Sequence, residues 1–260
     1  MCFDLDSRPP IAPIAGGALD SSELVLDAAD GNRLRAFRAR ATTPTGAGIV
    51  ILPDVRGLHP YYEELALRFA ETGVDAVAID YFGRTAGIGG REDGFAFMPH
   101  VDQLTWGGLQ ADVRAGAEHL RMADERRVDA LFTIGFCMGG RLAFLTATLG
   151  LGLAGSIGLY GNPVGPGRAG MPVPADLALE MTNPILGLFG GADPGIPPES
   201  IAAFDEAVTK AGVDHRIVTY DGAPHSFFDR KTEEFADVSR QAWDETLTFV
   251  RGRTPNPVTG

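Results

Sequence analysis

The 260-residue sequence is poor in cysteine, with only Cys2 and Cys137, and this scarcity argues against a domain stapled by several disulfides. It also lacks a long apolar run, because stretches such as residues 47–53 fall far below the roughly 20 residues that a membrane-spanning helix needs. The N-terminus, MCFDLDSRPP, has no basic region followed by an apolar run, so no signal peptide is predicted. We therefore expect a soluble, cytoplasmic protein, a setting in which a working thiol stays reduced.

Basic side chains are also in short supply, with 22 Lys and Arg against 34 Asp and Glu and a formal net charge of -12. Such a chain is repelled by phosphate backbones and anionic membranes, so neither nucleic acid nor a membrane is an expected partner. We interpret the acidity as an aid to solubility. It leaves an anionic substrate open, because the local charge of a pocket can oppose the net charge. No cluster of His and Cys has metal-ligand spacing, so no metal is predicted.

The length and the 45% hydrophobic content fit one domain with a large core. Residues 1–20 are rich in Pro, Ala and Gly without a period, and we predict a flexible lead-in there. A single domain should cover residues 21–252. The last residues, 253–260, should form a frayed tail.

Apolar runs of strand length alternate with longer helical patterns between these ends. The predicted strands are residues 23–28, 33–39, 47–52, 74–79, 130–135, 155–160, 185–189 and 216–220, and the predicted helices are residues 60–71, 104–123, 138–149, 198–211 and 232–251. Most of the strands are continuously apolar, as expected where both faces are covered. The first two instead alternate around Asp30-Gly31, a hairpin signal. The pattern predicts an α/β fold: a mostly parallel eight-stranded sheet with an N-terminal antiparallel hairpin and helices on both faces.

The most informative segment is GFCMG at 135–139, which follows a predicted strand and opens a predicted helix. The form G-x-C-x-G is that of a nucleophile elbow with Cys137 in the place of serine. The glycines two residues either side permit the sharp turn, and the start of the helix favours a thiolate. The Met138 amide would then face a developing oxyanion. The alternative is that Cys137 is only a small buried hydrophobe.

A thiol nucleophile needs a base, and the base needs an orienting acid. In an elbow-containing fold these follow the nucleophile in the order acid, then histidine. Asp193 follows the strand at 185–189 in a Gly- and Pro-rich loop, and His225 follows the strand at 216–220. Both loops should lie at the same sheet edge as Cys137. Asp193 could instead serve only as a turn residue, and His59 is a further candidate for the pocket wall.

Six segments together resemble the dienelactone hydrolase family over about residues 20–250. They are PDVRGLHPYYEELA at 53–66, DYFGRTAG at 80–87, GFCMGGR at 135–141, LYG at 159–161, GADPGIP at 191–197 and APHSFFDR at 223–230. The resemblance implies an α/β-hydrolase fold, a Cys–His–Asp triad of Cys137, His225 and Asp193, and no cofactor. The reaction that names the family opens an unsaturated lactone that carries a carboxylate.

The resemblance also implies roles for individual residues. Asp54 stands where the family usually has a glutamate that activates the thiol, although a carboxylate after a strand often only caps or turns. The Val55 amide matches a second oxyanion donor beside that of Met138. Arg84 matches an arginine that binds the substrate carboxylate, with an ordinary loop salt bridge as the alternative. Tyr160 matches a pocket tyrosine, with a core position as the alternative.

A second substrate-binding arginine follows the histidine in the family. Here Asp229 occupies the matching offset and Arg230 comes one residue later, so that contact is assigned to Arg230. The predicted function is a cysteine-dependent hydrolase that opens a lactone or cleaves a small carboxylic ester, as a monomer or homodimer. The alternatives are a broad carboxylesterase or thioesterase and a non-catalytic binding protein. A dehydrogenase is disfavoured, because G-x-G-x-x-G does not follow the first parallel strand.

Overall fold

An eight-stranded sheet is the centre of the fold, and it is antiparallel only at one edge. The computed structural model describes residues 6–91, 94–122, 128–229 and 233–255. The strand order is β1-β2-β4-β3-β5-β6-β7-β8; β1 and β2 run antiparallel to their neighbours, and the rest are parallel. The strands are β1 Ala18–Asp27, β2 Arg33–Ala41, β3 Ala47–Leu52, β4 Asp75–Ile79, β5 Ala130–Phe136, β6 Gly155–Leu159, β7 Ile185–Gly190 and β8 His215–Tyr220.

Helices cover both faces of this sheet. They are α1 Pro60–Glu71, α2 Gly83–Ala86, α3 Met98–Val101, α4 Trp106–Met122, α5 Met138–Thr146, α6 Pro198–Lys210 and α7 Ala236–Arg253. Alternate residues of β3 belong to different cores: Ile49 and Ile51 pack with α1, whereas Val50 and Leu52 pack with α4. The fold class predicted from the sequence, including the antiparallel hairpin, is confirmed. None of the helices formed by the described residues is long and apolar enough to cross a membrane.

Several element boundaries differ from the sequence prediction. β1 begins at Ala18, inside the predicted lead-in, and Ser7 is already buried there, with its hydroxyl donating to Asp229 Oδ2 at 2.6 Å. α5 ends at Thr146, three residues early, and the Thr146 hydroxyl bonds to the Ala143 carbonyl. The single-turn helices α2 and α3 were not predicted. The predicted start of the last helix, residue 232, lies outside the described residues.

Parallel pairing aligns the carboxyl ends of the central strands. Leu52 of β3 pairs with Gly135 of β5, and Phe136 of β5 pairs with Leu159 of β6. The last residues of β7 and β8, Gly190 and Tyr220, are also paired with each other. The loops that follow these strands therefore emerge at one edge of the sheet, where α/β proteins bind ligands.

In the turn from β5 to α5, the backbone packs directly against the first turn of α5 and against the end of β3. A Cβ atom on Gly135 would overlap the Gly139 carbonyl, and one on Gly139 would overlap the carbonyls of Leu52 and Pro53. Between the two glycines, Cys137 has φ 56° and ψ -113°, a conformation that costs energy for a residue with a side chain. Both glycines of the predicted elbow are therefore required sterically.

This crowding predicts that Gly135→Ala lowers the free energy of unfolding by about 3 kcal/mol, because a methyl group cannot fit without moving the backbone of α5. Gly107→Ala is the matched control, since nothing lies within 4 Å of its added Cβ in α4. The control should stay within about 1 kcal/mol of wild type, because alanine favours helix. Urea unfolding followed by circular dichroism measures both. Equal stability of the two variants would contradict the elbow geometry described above.

Candidate active site

Cys137 lies at the tip of the turn between β5 and α5, directly before the first helical residue, Met138. Its amide donates to the Leu159 carbonyl at 3.1 Å, which ties the turn to the end of β6. The side chain is partly exposed. A thiol at the N-terminal end of a helix faces unpaired amides and a positive dipole end, and both favour the thiolate.

His225 and Asp193 form a hydrogen bond at the same sheet edge. The distance from His225 Nδ1 to Asp193 Oδ2 is 2.5 Å, and Asp193 Oδ1 accepts the Gly195 amide at 2.8 Å. Burial alone would raise the pKa of Asp193, but the bond to His225 and its charge, with the backbone amides, hold that pKa below its usual value. Because an ionised carboxylate only accepts, Nδ1 carries the proton and Nε2 is the nitrogen placed to act as a base.

A cavity of about 190 Å³ opens beside these groups. Cys137 and His225 both line it, as do Val55 and Met138, the two residues predicted to supply oxyanion donors. Tyr160 also lines it, and its ring centroid lies 5.0 Å from that of His225. The loops after β3, β5, β6, β7 and β8 thus meet around one small space, as their sequence order predicts.

The thiol itself is not yet linked to the base. Within the described part of the chain, no hydrogen bond joins the Cys137 sulfur to another group, whereas the bond between His225 and Asp193 is formed. Contacts between nucleophile and base are commonly loose without substrate and tighten on binding. The arrangement suits nucleophilic attack on a carbonyl group, with a base, an orienting acid and two candidate oxyanion amides around one cavity.

Comparison with known proteins shows the family to which the chain belongs. The sequence profile of the dienelactone hydrolase family matches residues 34–253, most of the chain. The chain belongs to the dienelactone hydrolase family. The carboxymethylenebutenolidase of Rhodococcus opacus is 32% identical over 219 residues, which cover 80% of this chain and 83% of that protein.

Two further proteins similar to this dienelactone hydrolase family member support the same family assignment. A Bradyrhizobium protein, named a probable 2-oxo-3-(5-oxofuran-2-ylidene)propanoate lactonase, is 27% identical over 228 residues, 85% of this chain and 90% of that protein. A solved structure of a Klebsiella pneumoniae protein, assigned provisionally as a dienelactone hydrolase, has a TM-score of 0.77 and 25% identity. The matched region covers 89% of this chain and 98% of the Klebsiella pneumoniae chain. The resemblance found in the sequence is confirmed.

The carboxylate of Asp54 is bonded within its own loop, and its activation of the thiol stays a prediction. It is fully buried, and its carboxylate is bound by Arg56, through the guanidinium at 2.9 Å and the backbone amide at 2.9 Å. Its own amide bonds to the Tyr62 hydroxyl at 2.9 Å. With a side chain one methylene shorter than glutamate, Asp54 is fixed to its neighbour in the loop. The two residues that flank Val55 are therefore both anchored.

Arg84 is engaged away from the cavity. Its guanidinium pairs with Asp30 Oδ2 and with Asp112 Oδ2, each at 2.6 Å, and Asp112 is fully buried. Arg84 does not line the cavity that holds Cys137. The structure therefore shows Arg84 in a salt bridge of the kind named above as its alternative, and its contact with a substrate carboxylate stays a prediction. Arg230, the other predicted substrate contact, lies outside the described residues.

Two arginines at the cavity were missed by the sequence prediction. Arg141 of α5 and Arg168, from the segment after β6, both line the cavity. Arg141 stands in the quoted motif GFCMGGR, but its partners are 21 to 31 residues away. A local sequence pattern does not indicate contacts between residues so far apart in the chain. Arg168 begins a 3-10 helix of three residues, Arg168–Gly170, which is too short to give a periodic sequence pattern.

Three of the other four histidines have positions in the fold away from the catalytic groups. His59 precedes α1, is buried, and does not line the cavity. His215 pairs with Asp205 at 3.2 Å, and the ring of His100 stacks on Phe95 at 5.0 Å. No group of three or more possible metal ligands occurs among the residues that the structure places.

The buried His59 should make the free energy of unfolding depend on pH. Burial lowers its pKa from 6.5 to about 4. Between these values the unfolded chain binds a proton that the folded chain refuses, so stability falls as the pH drops. At pH about 4.5 the loss from this group is about 2 kcal/mol. The decline in unfolding free energy from pH about 6.5 to about 4.5 should therefore be smaller by that amount in His59→Gln. Parallel pH profiles for variant and wild type, from urea titrations, would refute this.

Proposed function

We propose that this protein hydrolyses small lactones or carboxylic esters through a thioester formed on Cys137. Membership of the dienelactone hydrolase family makes it a hydrolase that acts on esters or lactones. The observation that carries the cysteine mechanism is the hydrogen bond between His225 and Asp193 at the rim of the cavity that Cys137 enters from its strained turn. The cytoplasmic location and the monomeric or homodimeric state stay predictions.

The first step forms the thioester. His225 Nε2 takes the thiol proton, and the sulfur attacks the carbonyl carbon. The negative charge moves to the carbonyl oxygen, where the amides of Val55 and Met138 stabilise it. The C–O bond then breaks, and the imidazolium returns the proton to the leaving oxygen. In a lactone that oxygen remains attached to the acyl group as a free hydroxyl; in a simple ester it departs as an alcohol.

The second step releases the acid. His225 takes a proton from a water molecule, and the resulting hydroxide attacks the thioester carbonyl. The same two amides stabilise the second oxyanion. The C–S bond breaks, the sulfur recovers the proton, and a carboxylic acid is left. Asp193, held ionised by its partners, stabilises the imidazolium in both steps.

The cavity sets the scale of the substrate. At about 190 Å³ it is smaller than pockets that enclose drug-sized ligands, so it suits one small ring or a short acyl chain. The Rhodococcus opacus relative is named for a butenolide of that class. We therefore place small lactones first among the candidate substrates of this chain.

We expect Cys137→Ala to lower kcat on para-nitrophenyl acetate and on a small lactone by about 1,000-fold or more, because no covalent intermediate can form. Asp193→Asn should also lower kcat steeply with little change in KM, because the imidazole loses its oriented tautomer. Arg240→Gln is the control, since Arg240 lies on the exposed surface of α7 and pairs with Asp237.

Mass spectrometry of rapidly quenched wild type should find the acyl group on Cys137. Turnover by a folded Cys137→Ala protein at the wild-type rate would refute the cysteine mechanism. An acyl adduct on any other residue would do the same.

A further inference from the structure

Three residues that directly follow β6, residues 160–162, lie between the nucleophile and the orienting acid, and we refer to them as the bridge segment. At the end of β6, the Leu159 carbonyl accepts the Cys137 amide at 3.1 Å. One residue later, the Tyr160 amide donates to the Leu188 carbonyl of β7 at 2.8 Å. Since β7 leads into the loop that carries the acid, the bridge segment begins at a point tied to both sides of the site.

The backbone of the bridge segment is fixed on the side of α5. A Cβ atom on Gly161 would overlap backbone atoms of Gly140 and Arg141. The Arg141 guanidinium donates to the Asn162 carbonyl at 3.0 Å. The backbone of Asn162 is therefore held in place relative to the helix that begins directly after Cys137.

The side chain of Asn162 is bonded within the protein at both of its ends. Its Oδ1 accepts the Val164 amide at 3.1 Å, and its Nδ2 donates to the Gly195 carbonyl at 3.1 Å. A backbone amide on one side and a carbonyl on the other determine which end of the side chain carries the nitrogen. The contact with Val164, two residues on, is an Asx turn. This turn fixes the direction in which Nδ2 points, toward the loop after β7.

Gly195 belongs to the turn that orders the Asp193 carboxylate. Its amide donates to Asp193 Oδ1 at 2.8 Å, and the amide of Ile196 donates to the Asp193 carbonyl at 3.2 Å. The peptide group between Gly195 and Ile196 is thus held on both sides, because Asn162 binds its carbonyl while its amide is bonded within the turn. Burial raises the pKa of Asp193, but the bond to His225 and these two amides hold that pKa below its usual value.

We propose that Asn162 is a positioning residue for the orienting acid: its side-chain amide clamps the turn of Asp193 and so keeps the His225 proton on Nδ1. The proposal rests on the hydrolytic function argued above, because it gives Asn162 a part in the same reaction. Asn162 also lines the cavity, so a direct contact with substrate is the competing role. The two roles differ in their kinetics, since loss of a substrate contact raises KM whereas loss of the clamp lowers kcat.

Two substitutions separate the clamp from the Asx turn. Asn162→Asp is isosteric and keeps an acceptor for the Val164 amide, but it sets an oxygen against the Gly195 carbonyl. Asn162→Ala removes both contacts and adds no charge. The loss that the two variants share is the donor to Gly195, so both should lower kcat on para-nitrophenyl acetate about tenfold, with KM within about twofold of wild type. Arg240→Gln, on the exposed surface of α7, is the control and should match wild type.

Removal of the acid tests whether Asn162 acts through it. In Asp193→Asn, where kcat is already low, adding Asn162→Ala should change kcat by less than about twofold. The same tenfold loss in both backgrounds would overturn the proposal, because an effect that survives without the carboxylate does not pass through it. A raised KM with unchanged kcat in Asn162→Ala would instead establish the substrate contact.

Nuclear magnetic resonance measures the positioning without turnover. The chemical shifts of the two ring nitrogens of His225 report which of them carries the proton. They are recorded in Cys137→Ala, which forms no thioester, at a pH where the ring is neutral. We expect the form protonated on Nδ1, and adding Asn162→Ala should move the shifts toward the form protonated on Nε2.

This readout separates the clamp from the hydrolytic function. The expected change in the ring shifts supports the clamp even if wild type hydrolyses neither esters nor lactones. Ring shifts that stay the same when Asn162→Ala is added overturn the clamp, even if Cys137 proves to be the nucleophile.

Discussion

The close contact between backbone atoms at the ends of β3, β5 and β6 is the constraint on which the site depends. Gly139 abuts the carbonyls of Leu52 and Pro53, and Gly140 lies against the Leu159 carbonyl. With no side chains between them, these segments cannot shift independently. The positive φ of Cys137 is held by this packing on both sides. Because β3 and β6 flank β5, the loops that follow them are also set on either side of the sulfur.

Electrostatic pairing is the second level of organisation at this edge. Three buried carboxylates each have a charged partner: Asp193 has His225, Asp54 has Arg56, and Asp112 has Arg84. Each pairing fixes a loop or connects two elements, and each keeps an acidic group from facing the cavity. Among the described residues that line the cavity, the arginines are Arg141 and Arg168, and none is Asp or Glu. Charge within this protein is therefore segregated, with the acid on the outer surface and in internal pairs.

The sequence predicted what depends on local pattern and chain order. β3 and α1 have the bounds predicted for them, because turn residues mark both ends of each segment. The meeting of His225 and Asp193 followed from their order after the last two strands. Long-range pairing was not predictable: Arg84 binds Asp30, 54 residues away, and Arg141 binds carbonyls of a loop with no period of its own. At Asp54 and Arg84 the structure shows ion pairs with Arg56 and Asp112, which the sequence did not predict.

The bond between Ser7 and Asp229 couples two distant parts of the chain. Asp229 lies four residues beyond His225, and Tyr61 of α1 donates to the carbonyl of the adjacent Phe228 at 2.5 Å. Ser239 of α7 also donates its hydroxyl to the Phe227 carbonyl at 2.9 Å. The loop that carries the base is thus held by α1, by α7 and by a segment that precedes the first strand, so a displacement of that leading segment is transmitted to the imidazole through a few bonds. For protein engineering, the leading segment is therefore a handle on reactivity rather than a neutral place for attachment.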